Sequence, residues 1–307
     1  MPIDPATLSQ LGLDQPIAAT VNGRVNGVTN APEWDQAYHP CAEAYPEPDV
    51  PQGAVHKFAA WTDTTVYAGT SRDIWVYQPT RQAEAYRVIL FNDGAWYLSR
   101  RGPVRATSVL DVLHHNHEIA PTVAVFINPG KPDHHVRGPI ESYDDQTAQR
   151  SFEYDQMTAQ YGQFLFHEVL PFVEQACSLT ISDDPQHRTT CGISSGGMAA
   201  FMSAWQHPDQ CQRVISHCGS FTDIWGGHNT PSLLRHNPRK PLRVFLQSGE
   251  NDANTPFGNW PLANQAMASA LQWAGYDYRF EFGSGGHNLQ HGGAIFADTL
   301  RWIWRQD

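Results

Sequence analysis

The sequence predicts an α/β fold, a central mostly parallel β-sheet flanked by helices. Three observations carry this. Short apolar or β-branched runs recur at 54–61, 73–78, 86–92, 121–127, 188–193, 212–218, 242–248 and 277–283. Helix-like stretches fall between the later ones, at 156–176, 196–206 and 260–274, and ADTLRWIWR closes the chain with another. Strands alternating with helices bury both faces of a sheet and run parallel. Composition agrees. The 307 residues are 41 % hydrophobic and 17 % charged, with 10 Trp, 11 Tyr and 14 Phe, enough for one large packed domain and unlike a disordered chain.

Residues 1–53 are proline-rich and lack periodicity, so they are expected to form an extended arm. Trp34, Tyr38 and Tyr45 within it suggest docking onto the main body or a neighbouring subunit, which leaves room for a homo-oligomer. Residues 54–307 form the expected catalytic domain, whose first two strands resemble an antiparallel lead-in. No internal repeat or low-complexity segment is visible.

Charge narrows the function classes. Lys and Arg total 20 against 31 acids, a net charge of −11, and no basic run occurs. A nucleic-acid or anionic-membrane surface is therefore not expected. No apolar stretch reaches the roughly 18–20 residues of a membrane span. The N-terminus has neither a basic n-region nor an apolar h-region, so the expected location is cytoplasmic. Cys41, Cys177, Cys191, Cys211 and Cys218 are odd in number and fit no zinc spacing. They are read as thiols in a reducing compartment.

The sharpest chemical signal is Gly192-Ile193-Ser194-Ser195-Gly196-Gly197, lying between the strand-like RTTC and the helix-like MAAFMSAW. A strand-to-helix turn tight enough to expose a nucleophile needs tiny neighbours, and the frame of Gly192 and Gly196 selects Ser194 over Ser195. The helix N-terminus then lies beneath the reacting carbonyl. Triads on such elbows run serine, acid, histidine along the chain. After the run LRVFLQS come Glu250 and Asp252, either of which could orient the base. After YDYRFEF comes a glycine-rich loop ending in His287, giving the order Ser194, Asp252, His287. The expected oxyanion donors are the backbone N–H of Ser195 and of Ala95, the latter in FNDGAW, where Gly94 lets the chain turn. Trp96, Tyr97, Trp225 and Trp260 offer flat faces near the expected rim, suited to sugar or aryl rings.

Most of the 15 histidines are read as structural or solvated. His287 and His291 are four apart, but HNLQH lacks the glutamate of a zinc protease, so no metal is expected. His114, His115 and His117, and the pair His134-His135, have no acid at ligand spacing and are expected to be solvated.

The motifs GTSRDIWVYQP, FNDG, RSFEYDQMTAQYGQFLFHEVLP, GISSGG, RVISHCGSF, GEND and GGH together resemble the esterase D / enterochelin esterase family of α/β-hydrolases. That family also holds feruloyl and acetyl-xylan esterases and mycolyltransferases. The resemblance spans about 54–307 and implies Ser194 as nucleophile, Asp252 as acid, His287 as base and the Ala95 and Ser195 amides as oxyanion hole. It also places Arg150 and Glu153, in R-x-x-E, near the active-site rim. Asn92 stands where relatives often have Gln, and the 1–53 arm has no counterpart in it. The expected function is cofactor-free hydrolysis of a small-molecule ester, of a carbohydrate or phenolic acid, through an acyl-enzyme. The alternatives are acyl transfer on the same triad and a non-catalytic binding module. Trp96, Arg150, Glu153 and Trp260 are the expected substrate-binding residues.

Overall fold

A computed structural model describes residues 4–15, 18–21, 24–27 and 33–306. The rest, including parts of the 1–53 arm, lies outside the described residues. The arm begins with helix α1 (Pro5–Leu11), capped by the Asp4 carboxylate, and a two-stranded hairpin of β1 (Ala18–Val21) and β2 (Arg24–Gly27).

The main sheet is built from β3 (Ala54–Trp61), β4 (Thr70–Gln78), β5 (Arg87–Asn92), β6 (Thr122–Ile127), β8 (Arg188–Ile193), β9 (Arg213–His217), β10 (Arg243–Asn251) and β13 (Asp277–Gly286). The two-residue β7 (Lys131–Pro132) pairs with β4, and β11 (Asn254–Thr255) with β12 (Gly258–Asn259). The spatial order is β13-β10-β9-β8-β5-β6-β4-β3. Every pair from β13 to β6 is parallel, and β4 joins β6 and β3 antiparallel. The α/β expectation holds, antiparallel lead-in included.

Alternation along the strands builds two cores. In β5, Val88 and Leu90 face one side while Ile89 and Phe91 face the other; in β6, Val123, Val125 and Ile127 oppose Ala124 and Phe126. The first face is covered by α5 (Gln160–Phe164), α6 (Leu170–Cys177), α7 (Ser195–Gln206), α8 (Thr230–His236) and α9 (Trp260–Trp273). The second is covered by α2 (Gly94–Leu98), α3 (Ala106–His115) and α11 (Phe296–Ile303).

Several elements differ from the sequence reading, among them the short helices α1, α2 and α8, which it did not anticipate. The helix expected at 156–176 begins at Gln160, and a π turn, Leu165–Val169, separates α5 from α6. Pro171 follows at once; it has no N–H and its ring crowds the carbonyl four residues back, so a widened turn accommodates it. Helix α4 (Asp145–Tyr154) was not anticipated because DQTAQRSFEY is mostly polar. Helix α3 was also missed, and its His114 corrects the solvated reading. The ring is buried, accepts the Thr122 N–H at Nε2 (3.1 Å) and meets the Tyr77 hydroxyl at Nδ1 (3.2 Å). Burial lowers its pKa to about 4. His134 and His135 are exposed as expected, yet each meets an acid, Asp133 and Asp145.

Candidate active site

Strands β8, β10 and β13 bring three functional side chains to one edge of the sheet. Ser194 follows β8 with φ 59° and ψ −126°, a backbone state few side chains accept. A Cβ on Gly192 would sit 2.2 Å from the Gly196 carbonyl oxygen, so the tight frame is a steric requirement. Ser194 Oγ lies 2.9 Å from His287 Nε2, and His287 Nδ1 lies 2.5 Å from Asp252 Oδ1. Glu250 is exposed, whereas Asp252 is buried. Asp252 also accepts the Ala253 N–H at Oδ1 (2.7 Å) and the Ser248 hydroxyl at Oδ2 (2.5 Å). Those bonds hold the carboxylate in one orientation toward the imidazole.

Ser195 is the first residue of α7, so its N–H has no acceptor within the helix and faces the elbow. The other expected donor is engaged: the Ala95 N–H donates to Asn128 Oδ1 at 3.1 Å. Gly94 does not supply the turn there. Asp93 takes the left-handed conformation (φ 53°), and Gly94 is required because a Cβ would lie 2.3 Å from the Ile127 nitrogen.

The expected rim residues separate. Trp96 is exposed and Arg150 stands 5.7 Å from its ring. Both Arg150 bonds go to Asp93, at 2.8 Å each. Trp260 is buried against His287, with ring centroids 5.6 Å apart, and its indole N–H donates to Ser220 Oγ at 3.2 Å. Trp225 is exposed, but Tyr97 is wholly buried and bonded to His217 Nδ1 (2.9 Å). Glu153 corrects the rim reading: it is buried and bidentate to Arg72 (2.7 and 3.0 Å), and it accepts the Gly130 N–H and the Gln149 amide. It supports the interior side of α4.

Sequence reasoning missed Ser220, Asn128 and Asp155. Ser220 Oγ lies 3.2 Å from Ser194 Oγ. Asp155 is buried, accepts the Ser151 hydroxyl at 2.7 Å and adjoins Ser195; burial pushes its pKa up to about 6. Ser220 and Asp155 left a trace in the sequence, inside the quoted segments RVISHCGSF and RSFEYDQMTAQYGQFLFHEVLP, whereas Asn128 lies outside every quoted motif. Among the described residues, one set of potential metal ligands converges, Cys218, Asp252 and His287. Asp252 and His287 are spent on each other, and burial with the nearby Asp252 charge pushes the Cys218 thiol far up. His291 lies apart, stacked on Tyr38 with centroids 4.3 Å apart. All five cysteines are unpaired, three of them buried.

The chain is 30 % identical over 186 residues to the iron(III) enterobactin esterase of Dickeya dadantii, covering 55 % of this chain and 40 % of that protein. The enterochelin esterase of Shigella flexneri superposes with a TM-score of 0.63 at 22 % identity, over 90 % of this chain and 62 % of that one. A ferulic acid esterase from the anaerobic fungus Anaeromyces mucronatus gives a TM-score of 0.64 at 13 % identity, over 86 % and 95 %. The chain thus spans less than two thirds of the enterobactin esterases it matches, while its α/β-hydrolase fold is shared with the two solved structures. The Esterase family model matches residues 65–303, most of the chain, and the chain belongs to that esterase family.

Proposed function

We propose that the chain is a serine carboxylic-ester hydrolase working through an acyl-enzyme. The observation that carries the reading is the continuous line from Ser194 Oγ through the His287 ring to Asp252, with contacts of 2.9 and 2.5 Å. His287 Nε2 takes the Ser194 proton as Oγ bonds to the ester carbonyl carbon. The carbonyl oxygen gains negative charge toward the Ser195 and Ala95 amides, each donor worth about 3–4 kcal/mol. The intermediate collapses as the alcohol leaves with the proton held on His287. Water then attacks the acyl-enzyme by the same route, and Ser194 recovers its proton. Asp252 keeps the Nδ1–H tautomer and favours the imidazolium that forms at each step.

The substrate reading is a carbohydrate or phenolic ester. Exposed Trp96 and Trp225 support it, as flat faces for rings, and so do relatives named for ferulic acid and enterobactin. The net charge of −11 disfavours anionic substrates at long range, and Arg150 offers them little because Asp93 holds it. The test is kcat/KM on a phenyl acetate, methyl ferulate, an acetylated xylo-oligosaccharide and a long-chain ester, with Ser194→Ala as blank. Aryl or sugar esters should lead and the blank should be inert. A preference for chains of about ten carbons, where a membrane or micelle anchors the tail, would refute the substrate class. Activity that survives in the blank would refute the mechanism.

A further inference from the structure

The loop that carries His287 is gripped from outside by the arm. The Asp35 carboxylate is fully buried. It accepts the Gly286 N–H at Oδ1 (3.0 Å) and the Asn288 side-chain amide at Oδ2 (2.7 Å). Its two oxygens thus hold the residues immediately before and after His287. The Tyr38 hydroxyl accepts the Ser284 N–H (3.0 Å), and the Ser284 hydroxyl donates to the Trp34 carbonyl (3.1 Å). Tyr38 also stacks on His291, closing the far side of the loop.

These contacts explain the glycines before His287. A Cβ on Gly283 would lie 2.2 Å from the Tyr38 hydroxyl oxygen, and one on Gly286 would lie 3.0 Å from the Trp34 indole nitrogen. The run Gly283-Ser284-Gly285-Gly286 leaves room for the arm as well as allowing a turn.

We propose that Asp35 is a positioning residue for His287, so that the arm is part of the catalytic unit. The proposal rests on the catalytic reading given above. Asp252 holds the ring at Nδ1 and Trp260 packs against it, while Asp35 bonds the N–H and side-chain amide of the residues on either side, whose carbonyls meet the weakly donating Cys218 thiol. An imidazole displaced by about 1 Å can cost 100-fold in rate. The acceptor roles are directional. Asn288 Oδ1 is occupied by the Gln290 N–H (2.8 Å), so only its NH2 end can face Asp35. Burial raises the Asp35 pKa, while the Gly286 N–H and the Asn288 amide pull it back.

This polarity supplies the test. Asp35→Asn sets two NH2 groups against each other, and Asn288→Asp sets two carboxylates against each other. The double variant Asp35→Asn/Asn288→Asp restores one donor facing one acceptor and keeps acceptors for Gly286 and Gln290. The readouts are the rate of Ser194 modification by an aryl fluorophosphonate, kcat and KM on p-nitrophenyl acetate, and amide exchange of segment 283–292. Asp35→Asn should lower kcat and the modification rate by about 10–100-fold, with KM within about twofold and faster exchange in the segment. The double variant should return to within about threefold of wild type, the sign of direct coupling. A single variant with wild-type rates would overturn the inference. So would a rate loss that tracks Tm and is not restored by the double variant. A wild-type chain that leaves the fluorophosphonate unreacted would refute the catalytic reading itself, and with it a base for Asp35 to position.

Discussion

On one side of Ser194, His287 is tied to Asp252 at Nδ1, and its loop is bonded to the arm at Ser284, Gly286 and Asn288. On the other side, the Ala95 N–H points at the Asn128 side chain, and Arg150 is spent on Asp93. On the proposed reading, proton transfer is preorganised, whereas one expected oxyanion donor is covered by a neutral acceptor. A carbonyl oxygen entering the site must displace Asn128 Oδ1. Exchanging one neutral acceptor for another costs little, and the developing oxyanion is the stronger acceptor. The arrangement therefore favours the transition state over the ground state.

The base side should be the more sensitive to substitution. Asp252→Asn removes the orienting charge and should lower kcat by about 10⁴-fold, while exposed Glu250→Gln should leave it near wild type. A greater loss at Glu250, measured by steady-state kinetics, would exchange the two roles.

Ser220 tests the nucleophile between the two sides. The Trp260 indole only donates, and the Ser194 proton faces His287, so the Ser220 hydroxyl donates to Ser194 Oγ. Ser220→Ala should lower kcat about 5–10-fold, the worth of one such bond, and Ser220→Thr should recover part of it. An unchanged kcat would make Ser220 only the partner of Trp260.

On the oxyanion side the expected effect is smaller and of opposite sign. Asn128→Ala frees the Ala95 amide and should raise kcat/KM by a fewfold, the net worth of one neutral hydrogen bond. A fall in kcat/KM would mean that Asn128 serves the substrate and that Ala95 is not an oxyanion donor.

The smallest effect concerns pH. His217 lies beneath the elbow, wholly buried, with its pKa lowered by burial to about 3. The unfolded chain takes up that proton near pH 6.5 and the folded chain near 3. His217 therefore favours the fold fully above about 6.5, and that contribution fades as pH falls toward 3. His217→Gln should flatten the acid side of a Tm-against-pH curve without moving kcat at pH 8. A curve that keeps its slope would place the acid sensitivity elsewhere, with His114 the next group to test.

The same contrast separates what the chain displays in one dimension from what it does not. The elbow is legible because its tightest contact is local: a Cβ on Gly192 would strike the backbone of Gly196 across Ser194. Asp252 and His287 are legible because each follows its own strand to the same sheet edge. Asp35 is bonded to residues some 250 positions away, and no local pattern announces such a pair. Sidedness was also hidden. Trp96 and Tyr97 are neighbours in α2, yet one is exposed and the other buried, since successive helical residues point about 100° apart. Glu153 read as a rim residue by resemblance, but the buried Arg72 of the lead-in strand β4 claims it. Trp34, Tyr38 and Tyr45 were expected to dock; that Trp34 and Tyr38 reach the loop of the base, while Tyr45 is exposed, could be read only in three dimensions.

The central claim is that Ser194 is the nucleophile activated by His287. Treating the chain with an aryl fluorophosphonate and locating the adduct by peptide mass spectrometry tests it most directly. The account predicts one adduct per chain, on Ser194, absent when His287 is replaced by alanine. An adduct on Ser195 or Ser220, or a Ser194 adduct formed at the same rate without His287, would contradict it.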